Sequence, residues 1–139
     1  MRIASVRYLL DTNICIYIAK NYPPQVRARF EALDADMLAM SVITLGELRH
    51  GAEKSQMKAK SMATLGQLET MIQVAPITDT TAHHYGQIRS QLERRGLTIG
   101  NNDLWIAAHA RANAWTLVTN NEREFVRVEG LSVENWVSE

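Results

Sequence analysis

Four carboxylates, Asp11, Glu47, Asp103 and Glu124, are spread along the chain, yet each sits beside an apolar run or at the start of a helical pattern. Asp11 ends Val6-Arg7-Tyr8-Leu9-Leu10, and Glu47 lies within Ser41-Val42-Ile43-Thr44-Leu45-Gly46-Glu47-Leu48. Asp103 opens the stretch from Asn101 to Ala108, and Glu124 closes the one from Leu117 to Phe125. Carboxylates are rarely buried without a counter-charge or a metal. If the fold gathers these four, their repulsion calls for a hard divalent cation with oxygen ligands. The chemistry then expected is metal-assisted cleavage of a phosphoester.

Each acid also has an ordinary explanation. Asp11 with Thr12 and Asn13 reads equally well as a helix cap. As a phosphotransfer nucleophile Asp11 is a weak candidate, because the Asp-x-Asp form of that chemistry is broken by Asn13. Glu47 has His50 and Lys54 as possible ion-pair partners; Arg49 is two residues away and faces elsewhere on a helix. Asp103 in a first helical turn is favoured by the helix dipole alone, by about 0.3–1 kcal/mol. Glu124 and Asn121 fit a polar turn after a strand. Taken singly these readings suffice, but together they leave unexplained why acids recur at the same end of so many elements.

The elements that must position them alternate in type. Tyr8-Leu9-Leu10, Met37 to Val42 and Trp115 to Thr119 are short apolar runs of the kind covered on both faces of a sheet. Ile72 to Ile77 is a weaker one, broken by Pro76, and Val126 to Val133 offers a short edge strand. Between them, helical spacing joins Val26, Phe30 and Leu33 after Pro24, then Ile43 to Glu53, then Met62, Leu65, Leu68 and Ile72. A further helix carries Tyr85, Ile88 and Leu92, with Thr80 or Thr81 as its cap and an end near Gly96. The next begins with Asn101 or Asn102 as cap and runs to about Asn113, and small residues (Ala107, Ala108, Ala110) let it pack closely on a sheet. Strands separated by helices predict a parallel sheet between helical layers. Ligands bind such sheets outside the carboxyl ends of the strands, where Asp11 and the Asn120-Asn121 pair would lie.

At 139 residues, with 46% hydrophobic and 22% charged residues, the chain is expected to form one domain with a substantial core. Fifteen basic residues balance fifteen acidic ones, so any nucleic-acid contact must rest on local patches. The single cysteine, Cys15, rules out an intramolecular disulfide and a thiolate zinc cage, and it reads as a small buried hydrophobe. Arg2 and Arg7 interrupt the apolar core that a signal peptide needs, and no segment has the length of a membrane span. The expected setting is cytoplasmic and reducing, without a membrane partner.

Four stretches carry a resemblance. They are Leu9-Leu10-Asp11-Thr12-Asn13, Ser41 to Gly51, Asn102-Asp103-Leu104-Trp105-Ile106-Ala107-Ala108, and Val118-Thr119-Asn120-Asn121 with Glu124-Phe125. In this order they resemble the PIN-domain nucleases and, more narrowly, the VapC toxins of bacterial toxin–antitoxin pairs. The ending Gly130 to Trp136 is similar as well. The resemblance covers nearly the whole chain. It implies a single PIN domain over 1–139, α/β in class, with a Rossmann-like parallel sheet flanked by helices in three layers. It also implies Mg2+ dependence (Mn2+ substituting), endoribonuclease activity and a VapB-type antitoxin partner.

Carried over residue by residue, Asp11, Glu47 and Asp103 match the family's three central acids. Family members often have Asp where this chain has Asn121, while Glu124 matches an acid that commonly precedes Phe. Glu124 is thus the better fourth ligand and Asn121 a holder of water, and the departure leaves open whether one ion or two are bound. Thr12, Asn13, Ser41 and Thr119 match polar positions that support the acids by hydrogen bonding.

The mechanism that follows is hydrolysis leaving a 5′-phosphate and a 3′-hydroxyl. It differs from metal-free ribonucleolysis by His pairs, since the adjacent His83 and His84 point apart on a helix and suit surface or dimer packing. Candidate RNA contacts are Arg49, His50 and Lys54 (with Lys58 and Lys60 beyond) after Glu47, and Arg89, Arg94 and Arg95 before Asp103. With no net charge, a structured RNA recognised by shape is favoured, tRNA first. The resemblance further implies a homodimer, enlarged by antitoxin. The alternative is a non-catalytic PIN-like binding module whose acids hold a partner's Arg. A third reading, a small-molecule phosphatase, requires an aspartyl-phosphate at Asp11.

Overall fold

The computed structural model describes residues 3–138; Arg2, read above as interrupting a leader, lies outside them. Tyr8–Leu10 forms β1, the middle of a five-stranded sheet ordered β3-β2-β1-β4-β5, in which every pair is parallel. The other strands are β2 (Leu38–Ser41), β3 (Gln73–Ala75), β4 (Thr116–Val118) and β5 (Val133–Glu134). Seven helices connect them: α1 (Thr12–Lys20), α2 (Pro24–Glu31), α3 (Val42–Glu53), α4 (Lys58–Met71), α5 (Asp79–Arg94), α6 (Asn101–Ala112) and α7 (Glu122–Phe125). The order reverses between β1 and β4, since β2 and β3 extend one way and β4 and β5 the other. That switch point is where parallel sheets of this kind bind ligands.

Side chains alternate across the strands, so neighbours in sequence enter different layers. Leu9, Ala39 and Leu117 join one core with Ile88 and Leu92 of α5, Leu104 and Ile106 of α6, and Phe125 of α7. Leu10, Met40 and Val118 join the opposite core with Ile14 and Ile18 of α1, Val26 and Phe30 of α2, and Leu68 of α4. The two cores make the expected three-layer α/β/α arrangement. Cys15 is fully buried in the second, as its small apolar role requires. Helix α3 straddles the sheet edge, sending Ile43 to the first core and Leu45 and Leu48 to the second.

Three boundaries differ from the sequence reading. The N-cap of α5 is Thr78, not Thr80 or Thr81, and the Thr78 amide donates to the Thr81 hydroxyl at 3.3 Å in a reciprocal cap. Gly100 takes the N-cap place of α6, so Asn101 and Asn102 are its first helical residues. Their amides are thereby released for side-chain contacts elsewhere. The edge strand is confined to Val133–Glu134; residues 126–130 are turn, with Val126 exposed. A chain that must turn at Gly130, which has φ +78°, cannot remain extended from Val126 onward.

Candidate active site

Asp11 follows β1 directly, at the switch point. Its amide donates to the Val118 carbonyl at 2.9 Å, continuing the strand pairing by one residue. Its side chain is 5% exposed and accepts from the Thr12 amide at 2.8 Å, capping α1. The other carboxylate oxygen accepts from the Thr119 hydroxyl at 2.7 Å, which arrives from the end of β4. The Thr119 hydroxyl also accepts from the Asn121 amide at 2.9 Å. The helix cap and the link to β4 thus use different oxygens of the one carboxylate. Burial raises the Asp11 pKa; the hydrogen bonds from Thr119 and Thr12 oppose the rise, and the Glu47 charge adds to it.

Glu47 is placed by α3, which starts where β2 ends because the Ser41 hydroxyl accepts from the Ile43 amide at 3.1 Å. One of its oxygens accepts from the Thr12 hydroxyl at 2.5 Å and the other from the Asn102 amide at 3.3 Å. Asp103, in the first turn of α6, is half-buried. Its pKa is pushed up to about 6, chiefly by desolvation and then by the charges of Asp11, Glu47 and Glu124. The fold therefore brings Asp103 within electrostatic reach of Asp11, Glu47 and Glu124, and Asp11 within reach of Glu47, from the end of β1 and from α3, α6 and α7. None of the four forms an ion pair with Lys, Arg or His among the described residues. The ion pairs considered for Glu47 do not form.

The polar residues divide. Thr12 bonds Glu47 and Thr119 bonds Asp11. Ser41, expected to support the acids, instead caps α3 and meets His109, and makes no contact with a carboxylate. The Asn13 side-chain oxygen is buried without a hydrogen-bond partner. Asn102 was read only as a cap, and Thr44, 3.4 Å from the Thr12 hydroxyl, was not singled out; both belong to the Glu47 environment. No local signal marks either, because each acts through a residue far away in sequence. The basic candidates divide too. Arg49 pairs with Glu69 at 3.5 Å, Arg89 with Glu93 at 3.2 Å, Arg94 bonds Ser90 at 2.7 Å and Arg95 the Arg127 carbonyl at 3.2 Å. His50 and Lys54 line a cavity with Glu47. His84 accepts from Arg111 at 2.8 Å.

An all-oxygen set of anions suits a hard divalent ion such as magnesium. The one thiol offers no competing ligand, since burial pushes the Cys15 pKa far above its usual range. Among the described residues no three His, Cys, Asp or Glu side chains stand close enough to cage an ion by themselves.

The PIN domain model matches residues 8–131. The tRNA(fMet)-specific endonuclease VapC of Shigella flexneri is 45% identical over 131 residues, covering 94% of this chain and 98% of the relative. Ribonuclease VapC2 of Haemophilus influenzae is 41% identical over 132 residues, covering 95% and 99%. Among solved structures, VapBC2 from Rickettsia felis, bound to a DNA fragment from its promoter, superposes with a TM-score of 0.88 at 39% identity, covering 94% of this chain and 99% of the other. VapBC from Salmonella typhimurium, also bound to DNA, gives 0.89 at 39% identity, covering 94% and 98%. The chain belongs to the PIN-domain family and, within it, to the VapC ribonucleases.

Proposed function

We propose that this ribonuclease is the toxin of a VapBC pair: a Mg2+-dependent endoribonuclease of the cytoplasm that cuts structured RNA, tRNA first, and so inhibits translation. The observation that carries the metal is the convergence of four carboxylates without a cationic side chain among them. Asp11 and Asp103 would be its principal ligands, with Glu47 and Glu124 holding it directly or through water. When bound, the ion supplies the Lewis acidity that activates water and neutralises charge on the phosphate.

The chain's own residues supply the positioning. Thr119 fixes one Asp11 oxygen and leaves the carboxylate anchored at the sheet. Thr12 and Asn102 grip the two oxygens of Glu47 from α1 and α6, so that helix α3 cannot turn its acid away. Asp103, its pKa pushed up to about 6, holds a proton in mildly acid solution, and a bound divalent ion would compete with that proton. Apparent metal affinity therefore falls as pH drops through 6.

A VapB-type antitoxin is proposed as the controlling partner, on the strength of relatives solved as VapBC complexes, and a homodimer as the assembled toxin. The test is cleavage of total bacterial RNA by antitoxin-free protein with magnesium, manganese or chelator, beside Asp11→Asn. Discrete fragments with 5′-phosphates that require both metal and Asp11 are expected. Intact RNA in the presence of folded, metal-loaded protein would transfer the acids to the non-catalytic binding role.

A further inference from the structure

Helix α3 turns Gly46, Glu47, His50, Gly51 and Lys54 toward one cavity of about 500 Å³, which Asn102 closes from the start of α6. The cavity is open to solvent and runs directly onto Glu47. Lys54, the C-cap of α3, lies seven positions beyond Glu47, so the track spans about 10 Å along the helix.

Its cationic side is uncommitted. Neither the Lys54 ammonium nor the His50 ring has an ion pair or side-chain hydrogen bond among the described residues, unlike Arg49, Arg89, Arg94 and Arg95. Its floor is bare for no reason of packing. A Cβ built on Gly46 or Gly51 meets no atom within 4 Å, so alanine would fit at both. Glycine inside a helix is less stable than alanine there. Two such positions on the cavity-facing side therefore weaken α3 without relieving any clash inside the protein.

We propose that this α3 track holds the sugar–phosphate backbone of the RNA beside the scissile bond, with Lys54 and His50 donating to phosphate oxygens and Gly46 and Gly51 leaving the helix surface low enough for the strand to lie against it. The inference rests on the ribonuclease reading above. RNA is favoured over a protein segment because the unpaired donors of Lys54 and His50 line the same cavity as Glu47, one of the four acids. A phosphodiester strand lying there is met by donors at its flank and reaches Glu47 at the other end of the cavity.

The probe is a fluorescein-labelled tRNA(fMet) transcript. Its binding is followed by anisotropy in EDTA and its cleavage in magnesium, for wild type, Lys54→Ala, His50→Ala, Gly46→Ala and Gly51→Ala. Lys54→Ala should raise Kd and KM about tenfold and lower the slope of log Kd against log salt by about one phosphate contact. Both alanine-for-glycine variants should bind several-fold more weakly while melting about 2–4 °C higher, a pairing that misfolding cannot produce.

Wild-type affinity and KM in all four variants, with cleavage intact, would overturn the track and leave the ribonuclease standing. Binding that depends on the track without any cleavage would do the reverse. No binding and no cleavage by wild type, with this probe or with total bacterial RNA, would remove both. Variants that lose affinity for a VapB-type antitoxin while binding tRNA normally would make the track a protein surface and overturn the proposal.

Discussion

Nδ1 of His109 on α6 lies 2.8 Å from the hydroxyl of Ser41, the residue that caps α3. The Ser41 oxygen accepts from the Ile43 amide and keeps both a proton and a second lone pair for Nδ1, so the imidazole tautomer sets the direction of this bond, while Nε2 is buried without a hydrogen-bond partner. A fully buried histidine thus joins the start of the helix that carries Glu47 to the helix that carries Asp103.

Burial pushes the His109 pKa down to about 4, with the nearby Pro76 carbonyl opposing the shift only in part. The unfolded chain, with histidine near 6.5, binds the proton more readily than the folded one. The stability contributed by neutral His109 is therefore present above pH 6.5 and is lost as pH falls toward 4. Thermal melts across that window should show a steeper acid-side loss in wild type than in His109→Leu. Equal slopes would mean that the folded protein accommodates the charged ring.

Asp103 has the opposite sign. Its folded pKa of about 6 lies above the unfolded value, so the relative stability of its neutral form is present below pH 3.8 and is lost as pH rises through 6. Metal-free Asp103→Asn should melt above wild type at pH 7.5, and the gap should close by pH 4. Magnesium should raise the Tm of wild type more than that of the variant. A variant that melts lower than wild type at pH 7.5 would contradict a repulsive acidic cluster.

The threonines that hold the acids should matter for activity more than for stability. Thr12→Val removes the donor to Glu47, and loss of such a supporting contact commonly costs about 10–100-fold in metal affinity or activity. Thr119→Val removes a contact that lowers the Asp11 pKa. The acid limb of the pH–rate profile should move to higher pH in Thr119→Val and stay in place in Thr12→Val. Coincident profiles for wild type and Thr119→Val would separate Asp11 from the rate-determining ionisation.

Trp136 ties the chain's end to the sheet. It is fully buried, packs edge-on against Tyr8 with centroids 6.0 Å apart, lies under Arg29 at 5.2 Å, and donates from Nε1 to Glu134 at 3.1 Å. Trp136→Ala should destabilise the protein by about 3–5 kcal/mol, measured by urea unfolding. Lys58→Ala, which breaks an exposed pair with Glu53, should leave the stability nearly unchanged in the same measurement.

The apolar runs around Leu9, Met40 and Leu117, and the helical spacing from Val26 to Leu92, were sufficient to state a parallel sheet between helical layers. Each signal is local, because a strand covered on both faces and an amphipathic helix must show their burial in consecutive residues. The acids at their ends were equally visible, and the resemblance of four short stretches assigned them a family. Tertiary structure alone decided how they are held. Thr12 and Glu47 are 35 residues apart and Thr119 and Asp11 are 108 apart, and no periodicity links such pairs. Ser41 and Asn102 show the same limit: both suit a cap, and one caps while the other reaches Glu47. The difference lies in whether Gly100 or its neighbour starts α6, a choice of about one residue that propensity does not resolve and packing does. The charges of Arg49 and Lys54 were likewise indistinguishable in sequence. Their roles parted only when the helix faced one toward Glu69 and the other toward the cavity beside Glu47.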